Sequence, residues 1–546
     1  MRQPKPDSMD YPELLAQVES GVIKIPDFQR PIVWDIGQTL YLLDSISRGY
    51  PIGSLILWRT EDRMKSHRNV GGLSLREAPE GRELNYVLDG QQRLTSLFAC
   101  LKGATIAGKP YRVYCDLDSR DDSEIFSLSQ SDRARFADLK DVLGDSPHLV
   151  YDTLTPDRKK RFNELRESFR LYKFPVIRIE DQPLDTVCEI FTRINNSGTE
   201  LDLFDLMVAK TWKDGFNLRD RYNELVASLE GVQFEGLGSS AVMQAVSCVI
   251  KGACTRKVTL SIRRDEMATG WDESSKAILH AIDFIRDHLG VPSSRLMPYP
   301  SAVAPIAFFF HRNGFKQPDA RLSKLLSRYF WRSAAIGRYT QGTESKLGLD
   351  LKEVDKAMSG DDKSFTYPEG WTAVDYETIS RTELSLSNAF CKTVLAFLAA
   401  QHPLSLENNT PVRVDNSSLA RSNSRHFHHF FPKKHLERKG VSQEMANRVA
   451  NICLVPAQSN LHYQDKAPRD YLAPLRISNP GLSGALRSHL IEDSPEFGIG
   501  ADDYSKFLEA RGEEIKSGLH SLVLTDQEFD DLYGAGNEEF PSDGRD

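Results

Sequence analysis

Two stretches of this chain group side chains in a way that could do chemistry. The first reads His-Phe-His-His-Phe-Phe-Pro from His426 to Pro432 and is followed by Asn451 and Asn460. Adjacent imidazoles can divide two tasks at neutral pH: one takes a proton from water while the other, with an amide oxygen, ligates a divalent cation. Hydrolysis of a phosphodiester at a single metal ion needs that pairing. His429 is the expected general base, because the adjacent His428 is then available to the metal, with Asn460 as the oxygen ligand. Asn451 is expected to fix the loop through side-chain to backbone hydrogen bonds. Mg²⁺ or Mn²⁺ suits the set better than zinc, since the only nearby thiol is Cys453. The second stretch is Val-Leu-Asp-Gly-Gln-Gln-Arg-Leu-Thr-Ser-Leu, from Val87 to Leu97. Here Gly90 lets the backbone approach a ligand, a helix start at Gln91 and Gln92 offers N–H groups, and Arg93 can fork onto phosphate oxygens. Asp89 could hold a cation or orient a water. Two further turns carry Gln29 with Arg30 and Arg193 with Asn195. One such turn alone is a surface arginine, but three in one domain point to a phosphate-rich ligand, a nucleotide.

The elements that must position these groups are legible in outline. From about Tyr11 to Trp212, short apolar runs at Leu55–Trp58, Tyr111–Tyr114 and Phe174–Ile177 read as strands. Gly37–Arg48 and Gln91–Leu101 have helical spacing between them. From about Leu218 to Ala400 the pattern is helical, with breaks at Pro292, Pro298–Pro300 and Gly360–Glu369. Glu407–Ser424 reads as a linker or surface loop. Phe427–Phe431 and Asn451–Pro456 then read as two strands, and Ala457–Lys466 as the start of a helix that carries Asn460. The order is strand, strand, helix. Asp526 to Asp546 is acidic, contains Gly and Pro, and is expected to be a disordered tail.

Composition bounds the reading. At 546 residues the chain is too long for one core. A net charge of −8 is unlike a wholly basic nucleic-acid coat, although local basic patches matter more than the total. The seven cysteines form no Cys-x-x-Cys pair, which suits reduced thiols in a cytoplasmic protein better than a disulfide framework or a zinc ribbon. Ala302–Phe310 is too short to span a bilayer and reads as a buried helix. Trp331 and Tyr339 read as core. Arg425, Lys433, Lys434, Arg438 and Lys439 flank the histidines and suit duplex phosphates. The basic run Arg158–Arg170 reads as an exposed helix face, and His426 and His435 as bystanders.

Several of these residues carry a resemblance. Ile25–Trp34, Leu43–Ile46, Gly49–Gly53, the Asp-Gly-Gln-Gln-Arg run and the Arg193–Thr199 turn look like the N-terminal domain of GmrSD-type modification-dependent restriction enzymes, with Arg338-Tyr339 extending the likeness into the helical region. The resemblance implies a fold similar to the ParB and sulfiredoxin group. It also implies binding and hydrolysis of an NTP, ATP or GTP, at Asp89, Gly90, Gln91, Gln92 and Arg93, with Gln29, Arg30, Arg193 and Asn195 as neighbours. The histidine segment resembles the HNH (ββα-metal) nuclease domain fused to that domain in the same enzymes. The usual acid is replaced by His428, and Lys466 matches a trailing lysine that contacts phosphate.

The expected architecture is therefore an α+β multidomain protein: a ParB/sulfiredoxin-like α/β domain over 1–215, a helical region over 216–405, an HNH-type nuclease domain over 406–525, and the tail over 526–546. The expected function is a nucleotide-regulated, metal-dependent DNA endonuclease in anti-phage defence. Its partners would be double-stranded foreign or modified DNA and a nucleoside triphosphate, with no membrane. Two nicks from a one-metal site would call for a homodimer. The alternative from a different class is a nucleotide-dependent, ParB-like DNA-binding switch whose HNH-like module is catalytically silent. A third is a toxin-like nuclease aimed at RNA or host DNA.

Overall fold

The structure is a computed structural model that describes residues 3–533 except 27–33, 62–63, 65, 67–68, 71–72, 75, 77, 79–80, 107–108, 120–123, 131–134, 145–146, 183, 195–202, 213–215, 367–373, 417–418, 420–426, 457–462 and 464. It divides into two compact units, Met1–Leu218 and Arg219–Asp546.

The N-terminal unit is built on a mixed sheet of β1 (Lys5–Asp10), β2 (Ile23–Lys24), β3 (Leu55–Thr60), β4 (Leu84–Asp89) and β5 (Lys173–Glu180). The spatial order is β1-β5-β3-β4-β2. β5 runs parallel to β3 and β2 parallel to β4, while β1–β5 and β3–β4 are antiparallel. Strand β4 is apolar on both faces, as a strand covered on both sides should be. One face, with Leu57, Val87 and Val176, packs under α1 (Tyr11–Glu19), α2 (Ile36–Ser47), α3 (Gln91–Lys102) and α4 (Pro156–Leu171). The other, with Trp58, Tyr86 and Leu88, meets Val187 and Phe191. Helix starts are specified locally. Asp10 caps α1 by accepting from Glu13 N at 3.0 Å. Asp35 and Gln38 form a reciprocal capping box at α2.

The expected strand at Tyr111–Tyr114 is displaced. The strand is Tyr114–Asp116, in a separate small sheet with Phe126–Ser127 and Phe136–Asp138. Partners for the ladder begin only at Tyr114, and Tyr111 instead turns inward to donate its hydroxyl to Trp34 O at 2.9 Å. The basic helix α4 is only partly a solvated face: Arg158 pairs with Asp118, and Arg166 donates to the carbonyls of Val142 and Gly144.

In the second unit the expected helical region and nuclease region form a single body. Its helices include α5 (Ser239–Lys251), α6 (Arg264–Asp283), α7 (Val303–Arg312), α8 (Ala320–Ala335), α9 (Thr343–Met358), α10 (Ala389–Ala400), α11 (Tyr504–Val523) and α12 (Asp526–Tyr533). Helices α5, α6 and α7 pack together, with α7 wholly buried from Val303 to Phe310. Helix α11 packs on α8, which removes a domain boundary near 405. Asn416, in the expected linker, is 7% exposed and is held by Gln233 and Glu235. The acidic tail is corrected at its start: Asp526–Tyr533 is helical, tied down by Lys324–Asp526 at 2.7 Å and Arg332–Glu528 at 3.2 Å. The rest of the tail, 534–546, lies outside the described residues. Trp331 and Tyr339 are core, 1% and 5% exposed. Arg338 chelates the fully buried Asp350, which also accepts from the Tyr339 hydroxyl at 2.5 Å.

Candidate functional site

In the N-terminal unit, β4 ends at Asp89 and α3 begins at Gln91, with Gly90 between them at φ 90°. Only glycine suits that position. A Cβ there would stand 2.4 Å from Leu55 Cδ2, and the left-handed φ is itself unfavourable for other residues. Asp89, Gly90, Gln91, Gln92 and Arg93 are thus brought together in one strand-to-helix turn. The guanidinium of Arg93 is spent largely on the protein. Its Nη1 donates to Ile52 O at 2.6 Å, and its Nη2 to Ser54 O at 3.0 Å and Asp89 Oδ2 at 3.1 Å. Gly53, at φ 81°, leaves the room this needs, since a Cβ would fall 2.4 Å from Nη1. Arg93 is therefore a bracket between the 52–54 loop and the Asp89 turn. Gln92 Oε1 accepts from Trp34 N at 3.3 Å, fastening the chain just after the Gln29-Arg30 motif. Arg193 lies near the end of a helix, Leu184–Ile194, whose Val187 and Phe191 pack with Leu88; its own side chain is exposed and paired with Glu189 at 2.5 Å. Gln29, Arg30 and Asn195 lie outside the described residues.

In the second unit, β6 (Phe427–His429) pairs antiparallel with β7 (Ile452–Leu454), His428 opposite Cys453 and His429 opposite Ile452. Asn451, fully buried, closes the loop after β6: its Oδ1 accepts from Phe431 N at 2.9 Å, and its Nδ2 donates to Phe431 O and Ala446 O, both at 3.0 Å. His428 is 2% exposed and lies against the rings of Tyr463 and Tyr471. The His429 ring faces a different neighbour. Its Nε2 is 3.1 Å from Asn447 Oδ1. A carboxamide oxygen only accepts, so Nε2 carries the hydrogen and the lone pair is on Nδ1. Burial, then the adjacent Lys433 ammonium, pushes the imidazole down to about 4, with the Asn447 bond opposing and His428 adding a smaller push. His429 is therefore neutral near pH 7, with one nitrogen fixed and the other able to accept a proton. Lys433 is itself lowered by burial, against the pull of Glu383.

Asn447 was not singled out by its spacing, because nothing local marks it. Two tertiary features hold it. Its carbonyl accepts from Leu384 N at 2.9 Å, and Val449 N donates to Thr382 O at 2.8 Å, so a segment more than sixty residues upstream fixes its position. Arg511 on α11 was missed for the same reason. Its side chain is fully buried and donates to Ala450 O and Ile452 O at 2.7 Å and to His489 O at 3.1 Å, clamping β7 from behind.

The flanking cations are less available than the sequence suggests. Lys439 and His435 both bind Asp502, and Arg438 donates to the Asp465 carbonyl. Lys434 and Lys466 are exposed. Arg425 and His426 lie outside the described residues, as does Asn460, the expected oxygen ligand. Among the described residues no group of three or more His, Cys, Asp or Glu side chains is placed to hold a metal. The described donors thus supply one imidazole, His428, and fall short of a hard cation's oxygen-rich set.

Comparison with known proteins bears on the first unit. Residues 11–212 match the family described as GmrSD restriction endonuclease, N-terminal domain. The matched range coincides with the N-terminal unit and contains the Asp89–Arg93 turn. It stops short of the histidine hairpin, so the chemistry of the hairpin is argued from its own geometry. An uncharacterized protein of Methanocaldococcus jannaschii is 25% identical over 540 residues, covering 87% of this chain and 89% of its own length. The likeness to that protein therefore runs through both units. Among the described residues, no helix is long and apolar enough to cross a membrane.

Proposed function

We propose that the chain is a restriction-type, metal-dependent DNA endonuclease, used in defence against foreign or modified DNA and regulated by a nucleoside triphosphate at the Asp89–Arg93 turn. One observation carries the hydrolytic part: His429 is held neutral, with Nε2 engaged by Asn447 and Nδ1 left to accept a proton. In the proposed step Nδ1 takes a proton from water, and the water oxygen bonds to phosphorus. The bond to the leaving sugar oxygen breaks, and that oxygen takes up a proton from solvent. His428 and Asn460 would hold Mg²⁺ or Mn²⁺, and the bound cation would offset charge on the phosphate. Lys433 and Lys466 would meet neighbouring phosphates. Asn451 and Arg511 keep the two strands in register beneath the imidazoles.

The N-terminal family match supports the restriction-type assignment. For the nucleotide, ATP or GTP would lie at the start of α3 near Asp89, Gly90, Gln91 and Gln92. Gln29, Arg30, Arg193 and Asn195 would complete the surround, while Arg93 keeps the turn in shape. Turnover or binding there would bias the nuclease on or off.

The test is cleavage of plasmid and phage DNA with Mg²⁺ or Mn²⁺, with and without ATP or GTP. His429→Ala should abolish cleavage, and Asp89→Asn should alter its response to nucleotide. Full cleavage by His429→Ala would refute the assignment of the base. Cleavage indifferent to nucleotide and to Asp89→Asn would remove the regulation.

A further inference from the structure

The far end of the N-terminal sheet, away from the Asp89 turn, holds a cavity of about 520 Å³ lined by β1, α1, β3, β4 and β5. Strand pairing explains its chemistry. Arg178 stands opposite Lys5, Glu180 opposite Arg59, and Arg59 opposite Asn85, so residues on the helix-covered face change from apolar to polar as the strands emerge from under α1. Three cations there are matched by carboxylates: Lys5–Glu180 at 2.5 Å, Arg178–Asp7 at 2.7 Å and Arg59–Glu83 at 2.6 Å, with Arg59 also 3.5 Å from Glu180. Those pairs make the lining polar without making it a strong anion trap, which sets it apart from a phosphate site.

Two carboxamides complete the lining. Gln17 donates to Glu13 at 3.0 Å and accepts from Asn85 Nδ2 in a long contact of 3.4 Å. Asn85 is 7% exposed, and its Oδ1 has no hydrogen-bond partner among the described residues. A buried carbonyl oxygen left without a donor is uncommon in folded proteins. The missing partner is a donor, presented by something that fits a polar cavity of nucleoside size.

We propose that this cavity is a second ligand site, for a nucleobase, with Asn85 and Gln17 reading its hydrogen-bonding edge. A carboxamide presents a donor and an acceptor side by side, the pattern that complements a base edge. The planar guanidinium groups of Arg59 and Arg178 are of the kind on which bases stack. The base could come from a free nucleoside or from a nucleotide turned out of DNA, and the chemistry of the cavity is the same for both.

Full-length protein separates the sources and tests the claim. Saturation-transfer NMR with the four deoxynucleosides, which lack phosphate, reports on free ligand. A short duplex with 2-aminopurine opposite a mismatch reports by fluorescence on a base leaving the stack. Either signal should weaken about tenfold or more in Gln17→Leu and in Asn85→Leu. Gln17 is only partly buried, so its variant keeps the test valid if Asn85→Leu fails to fold. A nucleoside signal alone assigns free ligand, and a fluorescence signal alone assigns a base from DNA. Absence of both in the unmodified protein, or signals that persist undiminished in the folded variants, overturns the site.

Discussion

Replacing Asn447 by Asp puts a carboxylate where His429 Nε2 now meets a neutral oxygen at 3.1 Å. At an effective dielectric constant of about 20, a full charge pair at that distance is worth roughly 5 kcal/mol. Part of this is lost to desolvating the new carboxylate, and part to Lys433, which already disfavours the imidazolium. An opposite charge this close ordinarily moves a titration by roughly 1–3 units. The His429 titration should therefore rise from about 4 to roughly 5–7. Asn447→Ala removes the hydrogen bond without adding charge and should not raise it, since the present bond already favours the protonated form slightly. The assay is a histidine-selective NMR titration of each variant, alongside the acid limb of the cleavage profile. In the unmodified protein that limb should fall near pH 4; in Asn447→Asp both readouts should move up together. An NMR titration unchanged by Asp would refute the contact itself. A shifted NMR titration with an unshifted cleavage limb would leave the contact and remove His429 as the base.

Other expectations follow from the same packing. His429 and His489 are both depressed to about 4, chiefly by burial, from an ordinary 6.5. Below pH 6.5 the unfolded chain takes up protons that the folded one refuses. Stability should therefore fall between about pH 6.5 and pH 4, by up to about 3 kcal/mol per histidine, in denaturant melts of the full chain. Arg511→Ala leaves the carbonyls of Ala450, Ile452 and His489 without their donor and should cost about 3–5 kcal/mol by calorimetry, with Arg511→Lys a poor substitute because it lacks the fork. Gly90→Ala forces a left-handed φ and a contact with Leu55, and should cost about 1–3 kcal/mol, seen as a lower melting temperature.

The sequence by itself determined what local rules control. The helix starts at Asp10 and Asp35 were set by capping residues, and the buried helix at Val303 by an unbroken apolar run. The Asp89–Arg93 turn and the pairing of His428 and His429 strands with Ile452–Leu454 were also legible, because glycine, proline and short apolar runs mark turns and strands within a few residues. Tertiary structure decided which of those groups are available for chemistry. Arg93 looks like a phosphate ligand in the sequence and becomes a bracket because three oxygens from the 52–54 loop and Asp89 converge on it. Lys439 and His435 look like part of a basic patch and are claimed by Asp502, more than sixty residues away. The neutral, oriented state of His429 depends on Asn447, which is placed in turn by the backbone of residues 382–384. Hydrogen-bond commitments and burial are properties of neighbours in space, and spacing along the chain does not encode them.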